Sequence, residues 1–400
     1  MKILVITNFF KPIWEGGGPP RVAYSLASGL AQRGHEVVVY TTDFMNAPND
    51  LPTNQPISMD GMIVYYFENL RKYFPQPDIL PPLPYAFPFF LRNNIHHFDI
   101  IHIHEHRTMM AAYAMLLARQ KGIPYIIQPH GSAPPLFQKQ RVKRVFDRIV
   151  GSNGLRNANL LLALNKAEKQ QLISMGLDAS RIEIIPNGIN PNDMLIKYGP
   201  GTFRHELGLK DEPLILYLAR FHRIKGPDLL VKAFSQVIRE IPRAQLVMVG
   251  PDDGYLNRVK QMVVDFGLEK YVHFPGPIYD DMNKYSAFSD ADVYVLPSRY
   301  ETFPVSVLEA WKMGTPTIVT DRCGLQDEIN GCGSVVSFDE TALSSAIIDI
   351  LMNPKKAALL GERGREKVIN KYAWPIIIDQ LEKNIMIYAM ALLQKSTDRF

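Results

Sequence analysis

A chain of 400 residues with 44 Lys and Arg against 40 Asp and Glu is nearly balanced, and its formal charge of +4 is too small to argue for a nucleic-acid partner. Hydrophobic residues at 46% and charged residues at 21% exclude a disordered chain, and the length calls for two domains rather than one core. Cys323 and Cys332 are too few for a disulfide framework, which fits a reducing cytoplasm, and no stretch reaches the roughly 18 apolar residues of a membrane span.

In chain order, Ile3–Ile6 reads as a buried strand, too short for the core of a signal peptide. A loop from Asn8 to Pro20 follows, then a helix Arg21–Arg33 stopped by Gly34, then a strand Val37–Thr41. This βαβ unit implies a parallel sheet. Gly16, Gly17 and Gly18 in the loop let a backbone approach a ligand at the helix entrance, or simply make a flexible turn. The Gly-x-Gly-x-x-Gly fingerprint is absent and the loop is too long for it, which disfavours a nicotinamide enzyme.

Residues 72–91 are dense in proline and aromatics and predict an irregular loop, packed across the domain or left open as an acceptor surface. The strand from Asp99 to His106 puts His102, His104 and His106 on one face by its two-residue period. Three imidazoles in a row can ligate a metal or line a cleft, and without a following carboxylate motif no metal is expected. Tyr125–Gln128 ends in Pro129-His130-Gly131, and the carboxyl ends of parallel strands are where ligands bind, so His130 leads the histidines as a site candidate.

Between residues 139 and 150, Val142, Val145, Phe146 and Ile149 share a helical face, with Lys139, Arg141, Lys143, Arg144 and Arg148 around the rest. A basic amphipathic helix of this kind lies on anionic lipid or is an ordinary solvated helix. Strands Leu160–Ala163 and Ile182–Ile185 close the first half, and residues 189–212 read as the interdomain linker.

The alternation resumes with strand Leu214–Leu218, a loop carrying Arg220 and Lys225, and a helix Pro227–Glu240. Two fixed cations beside a helix start suit a diphosphate and would stabilise charge growing on a leaving phosphate. The Walker glycines are missing, which excludes an ATPase-type phosphate loop. Strands Gln245–Val249, Tyr271–Phe274, Val293–Leu296 and Thr317–Thr320 complete a second βα domain. Asp290-Ala291-Asp292 reads as a helix-to-strand connection rather than a metal site. After Leu296 a loop runs into a helix that ends at Gly314, bracketed by Glu301 and Glu309. Residues eight apart in a helix lie about 80° apart around the axis, so Glu309 can face the way of the helix entrance from two turns deeper, one carboxylate at the mouth and one inside. Glu309 lies among Val307, Leu308, Ala310 and Trp311, where a carboxylate needs a partner or a ligand.

Taken together, Gly16-Gly17-Gly18, Pro129-His130-Gly131, Pro186-Asn187-Gly188, Arg220 with Lys225-Gly226, and Glu301-x7-Glu309 resemble the family 4 retaining glycosyltransferases of GT-B fold, in the right order over nearly the whole chain. The resemblance implies an α/β protein of two facing Rossmann-like domains with parallel sheets and an interdomain cleft. Residues 1–190 would form the acceptor-side domain, joined by a C-terminal helix of about 376–400 crossing back, and residues 191–375 the donor domain. His130, Arg220, Lys225 and Glu301 would form the catalytic set. Gly17, Gly18, Gly276, Ile278, Phe303, Pro304, Val305 and Glu309 would bind the donor, with Arg220 and Lys225 on its diphosphate, Glu309 on the ribose and Glu301 on the sugar. His104 and Glu105 would stand on the acceptor side.

The implied reaction moves a sugar from a UDP- or GDP-sugar to a glycan or lipid-linked acceptor, with retention, without a metal or other cofactor. Cell-envelope polysaccharide or glycoconjugate synthesis goes with it, while the cytoplasmic location is expected from the two cysteines and peripheral contact with an anionic membrane's inner face is a separate expectation from residues 139–150 and the aromatic loop. A nucleotide-sugar epimerase or hydrolase of the same architecture, or a non-catalytic donor-binding subunit, are the alternatives.

Overall fold

The computed structural model describes residues 1–14, 17–44, 50–70, 73, 82–135, 140–191 and 201–397, with side chains to 388. Its contacts divide the chain into two units, Met1–Asn187 with Trp374–Phe400, and Gly188–Ala373. Gly16, Lys139 and most of the proline-rich stretch 72–81 lie outside the described residues.

The first unit holds strands β1 (Lys2–Ile6), β2 (Glu36–Thr42), β3 (Pro56–Met59), β4 (Met62–Phe67), β5 (Ile100–His104), β6 (Tyr125–Gln128), β7 (Leu160–Ala163) and β8 (Ile182–Ile184). Their order is β3-β4-β2-β1-β5-β6-β7-β8, parallel except where β3 pairs antiparallel with β4. The strands are apolar along their length because both faces are covered. On one face Leu26 and Leu30 pack with Ile377, Ile378 and Leu381 of the C-terminal helix Trp374–Thr397. A Cβ on Gly29 would collide with Ile378, so the missing side chain sets how closely the two helices pack. Glu382 adds polar links to Arg33 at 3.0 Å and His35 at 2.8 Å.

The second unit holds β9 (Leu214–Leu218), β10 (Gln245–Val249), β11 (Val272–Gly276), β12 (Val293–Leu296), β13 (Thr317–Thr320) and β14 (Gly333–Val336) in the order β11-β10-β9-β12-β13-β14, all parallel. The order reverses between β9 and β12, and open parallel sheets bind ligands at such a switch point, beyond the carboxyl ends of the strands. The corresponding reversal in the first unit lies between β1 and β5.

Several elements differ from expectation. The first helix runs Gly18–Gln32, three residues earlier than predicted, because prolines are tolerated in a first turn whose N–H groups have no helical partner. Phe87–Asn94 is helical for the same reason, with Pro88 in its first turn, where an irregular loop was expected. Residues 202–206 form a helix rather than linker. Asp290 accepts from the Gly201 and Arg204 amides at 2.6 and 3.1 Å, and Asp292 from the Leu214 amide at 2.7 Å, so this stretch belongs to the second unit. The helical stretch 140–151 turns its apolar stripe outward: Val142, Val145 and Ile149 are 66%, 59% and 70% exposed.

Candidate active site

In the second unit the candidate residues collect at the switch point. Arg220 and Lys225 lie on the loop after β9, and Glu301 on the loop after β12. Gly226 takes φ 67°, and a Cβ there would collide with the Pro297 carbonyl, so the two loops meet only because this residue is glycine. Arg299 locks them together. Its amide donates to Ile224 at 2.7 Å, and its guanidinium grips Asp228 through two bonds of 2.8 and 2.6 Å. Burial works against the Asp228 carboxylate, but the Arg299 guanidinium holds its pKa below the usual range.

Within this frame Lys225 Nζ donates to Glu301 Oε2, both side chains mostly buried at 20% and 14% exposed. The sequence left Glu301 and Lys225 as separate groups, whereas here each is the other's partner. Backbone bonds from Glu301 to Arg322 and from Gly324 to Glu301, at 3.2 and 2.7 Å, fix the loop. Arg220 is 59% exposed and reaches Asp253 at 2.5 Å.

The following helix spans Val305–Met313 with Pro304 at its N-cap, and its first turn has neither a side-chain cap nor an acid. Its amides therefore face a region of positive potential suited to anionic or hydroxyl ligands. Phe303 turns inward against Tyr372, ring centroids 6.1 Å apart. One turn into the helix, Glu309 finds the partner its apolar neighbours demanded: Lys284, on the helix Asp281–Asp290, lies 2.7 Å away. Burial alone would lower the Lys284 pKa, but the charges of Glu309 and Asp281 outweigh it and hold it above the lysine value. Lys284 is a site-region residue that sequence reading missed. Gly276, at φ 93°, ends β11, and Ile278 follows it.

In the first unit the Gly17–Gly18 helix start follows β1, Glu105 follows β5 and His130 follows β6, on neighbouring strands. His104 Nδ1 lies 2.9 Å from His130 Nε2, and the two rings stack. Glu105 takes φ 61°, which ends β5 at His104 and breaks the expected row of three imidazoles. His106 turns toward Asp147, 3.8 Å away. Among the described residues no group of three or more His, Cys, Asp or Glu is arranged to hold a metal. Burial pushes the His130 pKa down to about 3 and His102 to about 4, and pushes the Glu105 carboxyl up to about 7.

Two parallel-sheet units, each with its polar residues gathered at a strand-order reversal, define the chain as an α/β enzyme of GT-B fold with an anion-receptive second unit. Residues 201–367 match the family described as Glycosyl transferases group 1 and residues 16–193 match Glycosyltransferase Family 4, so the chain belongs to these glycosyltransferases. A D-inositol 3-phosphate glycosyltransferase from Kineococcus radiotolerans is 25% identical, covering 96% of this chain and 93% of the relative. A mannosylfructose-phosphate synthase from Agrobacterium fabrum is 24% identical over 92% of this chain and 86% of its own. In fold, the sucrose-phosphate synthase of Thermosynechococcus elongatus superposes with a TM-score of 0.75 at 24% identity, covering 98% of this chain and 100% of that one. HepE of Anabaena, solved with UDP-glucose, gives 0.74 at 20% identity over 96% and 99%.

Proposed function

We propose that this glycosyltransferase moves a sugar, with retention, from a UDP- or GDP-sugar to a glycan or lipid-linked acceptor, in cell-envelope polysaccharide or glycoconjugate synthesis and without a metal. The observation that carries the reading is the placement of Arg220 and Lys225 on the β9 loop, and of Glu301 and Glu309 on the β12 loop and the helix after it, at the β9/β12 reversal. Arg220 and Lys225 take the donor diphosphate, Glu309 the ribose hydroxyls, and Glu301 with the amides of Phe303–Val305 the sugar hydroxyls. Gly276 and Ile278 meet the base. Among the first unit's residues, Gly17, Gly18 and His130 are assigned to the donor, and His104 and Glu105 to the acceptor.

In this scheme the bond from the sugar's anomeric carbon to the diphosphate oxygen breaks as the acceptor oxygen attacks from the same face. The acceptor's proton passes to the departing phosphate, so no side chain need act as nucleophile. Catalysis comes from positioning and from cations at the leaving group. The HepE complex with UDP-glucose supports this donor class. A screen of UDP- and GDP-sugars for nucleotide release, with oligosaccharide and lipid-linked acceptors and with EDTA present, should give one acceptor-dependent donor with the anomeric configuration kept. Free sugar or a free epimer with no acceptor product would overturn the reading.

The outward stripe Val142, Val145 and Ile149, ringed by Arg141, Arg144 and Arg148, favours peripheral docking on anionic lipid at the inner membrane face. No helix among the described residues is long and apolar enough to cross a membrane. The protein should sediment with phosphatidylglycerol vesicles but not phosphatidylcholine vesicles, and Val145→Asp should abolish this. Equal recovery with both lipids would rule the surface out.

A further inference from the structure

Glu168 is almost fully buried, at 1% exposed, in a helix whose start reads as an ordinary capping box, Asn165-x-x-Glu168. Half of that box forms: Asn165 Oδ1 accepts from the Glu168 amide at 2.8 Å. The Glu168 carboxylate accepts instead from two amides outside the helix. Oε2 takes Leu164 N–H at 2.7 Å, at the end of β7, and Oε1 takes Gly131 N–H at 2.5 Å, in the loop after β6.

That second bond falls beside a strained residue. His130 takes φ 55° and Gly131 φ 77°, and a left-handed conformation is unfavourable for a residue with a side chain. The neighbouring strand also ends in a left-handed residue, Glu105, whose amide donates to Gln128 at 3.0 Å. Strain of this kind persists only where the surroundings hold it. His130 is held at its ring by His104 and at its main chain, one residue on, by Glu168.

We propose that Glu168 is a positioning residue for sugar transfer: its carboxylate, bound to the Gly131 and Leu164 amides at once, fixes the left-handed turn that aims the His130 imidazole. The inference rests on the reading of His130 as a substrate-facing group. A carboxylate is the one side-chain group here that offers an acceptor to each of two N–H donors without bringing a donor of its own. In Glu168→Gln the amide keeps one acceptor and turns an NH2 toward the other N–H, so one of the two bonds is lost.

The test is a double-mutant cycle on kcat, with donor KM and thermal stability followed in parallel. Assayed above pH 7, where Glu168 is ionised, Glu168→Gln should lower kcat about tenfold to a hundredfold, the worth of one charge-assisted hydrogen bond, with donor KM unchanged. It should also shift the His130 imidazole ¹⁵N resonances. Because Glu168 acts through His130, Glu168→Gln with His130→Ala should be no slower than His130→Ala alone. If the two losses multiply, or if His130→Ala is impaired while Glu168→Gln is not, the positioning role is wrong. A fully active His130→Ala would remove the His130 reading and this inference with it. Should Glu168→Gln fail to fold, Glu168→Asp, one methylene shorter, carries the same cycle.

Discussion

Lys225→Ala should lower kcat/KM for the donor by about 10²–10³, the loss typical of removing a group aimed at developing transition-state charge. Its effect on the fold should be smaller and of a specific kind. Lys225 neutralises Glu301 at a position where the carboxylate is only 14% exposed. Truncating one partner leaves the other charge partly buried and unpaired, which costs more than the pair contributes. Replacing both, as Lys225→Ala with Glu301→Gln, removes that orphaned charge. The double variant should therefore melt above Lys225→Ala while remaining as inactive. Thermal melts and donor kinetics on the parent and the two variants check this. If the double variant regains activity, or if Lys225→Ala is fully active, the diphosphate role fails.

The two groups that bind each other here are the two proposed to serve different parts of one ligand. A diphosphate arriving at Lys225 would replace the carboxylate with a stronger anion and release Glu301 toward hydroxyl groups. Arg299 and Asp228 supply the rigidity this exchange needs. They clamp the β9 and β12 loops without being assigned to the ligand, through bonds of 2.6 to 2.8 Å.

How far the sequence revealed this depends on whether the cause of each feature is local. Strands Tyr125–Gln128, Leu160–Ala163, Leu214–Leu218, Gln245–Val249, Val293–Leu296 and Thr317–Thr320 stand at their predicted bounds, because strands buried on both faces are continuous apolar runs. The Pro227–Glu240 helix does too, with Gly226 and Pro227 at its start. The apolar neighbours of Glu309 showed that it needs a partner, but Lys284 sits on another helix, and nothing in either segment points to the other. Arg299 and Asp228 are likewise joined only by the sheet that brings β9 beside β12. Glu168 was hidden differently: its capping-box spacing supplies a sufficient local reason for a glutamate, so the bond to Gly131 leaves no separate trace. The histidine row failed at one residue, since alternation holds only while the backbone stays extended and Glu105 does not.

Those histidines also set a pH response. His102 is 1% exposed, and burial lowers its pKa from 6.5 to about 4 against the opposing pull of the Gln128 side chain. It is neutral in the folded chain and binds a proton when unfolded, so its contribution to stability is present above pH 6.5 and is lost as pH falls toward 4. His104, His106 and His130 are lowered as well, each chiefly by burial, and act in the same direction. Glu105 and Glu168 oppose them. Their pKa values are raised from 4.5 to about 7, so their contribution is present below pH 4.5 and lost as pH rises through 7. Four histidines against two glutamates leave the first unit less stable as pH falls from 6.5 to 4.5. At about 1.4 kcal/mol per pH unit for each proton, His102 alone accounts for roughly 2–3 kcal/mol over that interval. His102→Leu removes the titrating group without adding a buried donor or acceptor. Its stability relative to the parent, from urea titrations at pH 6.5 and 4.5, should therefore improve by that amount at the lower pH. Parallel pH profiles for the two proteins would show that His102 is not neutral and buried in the folded state.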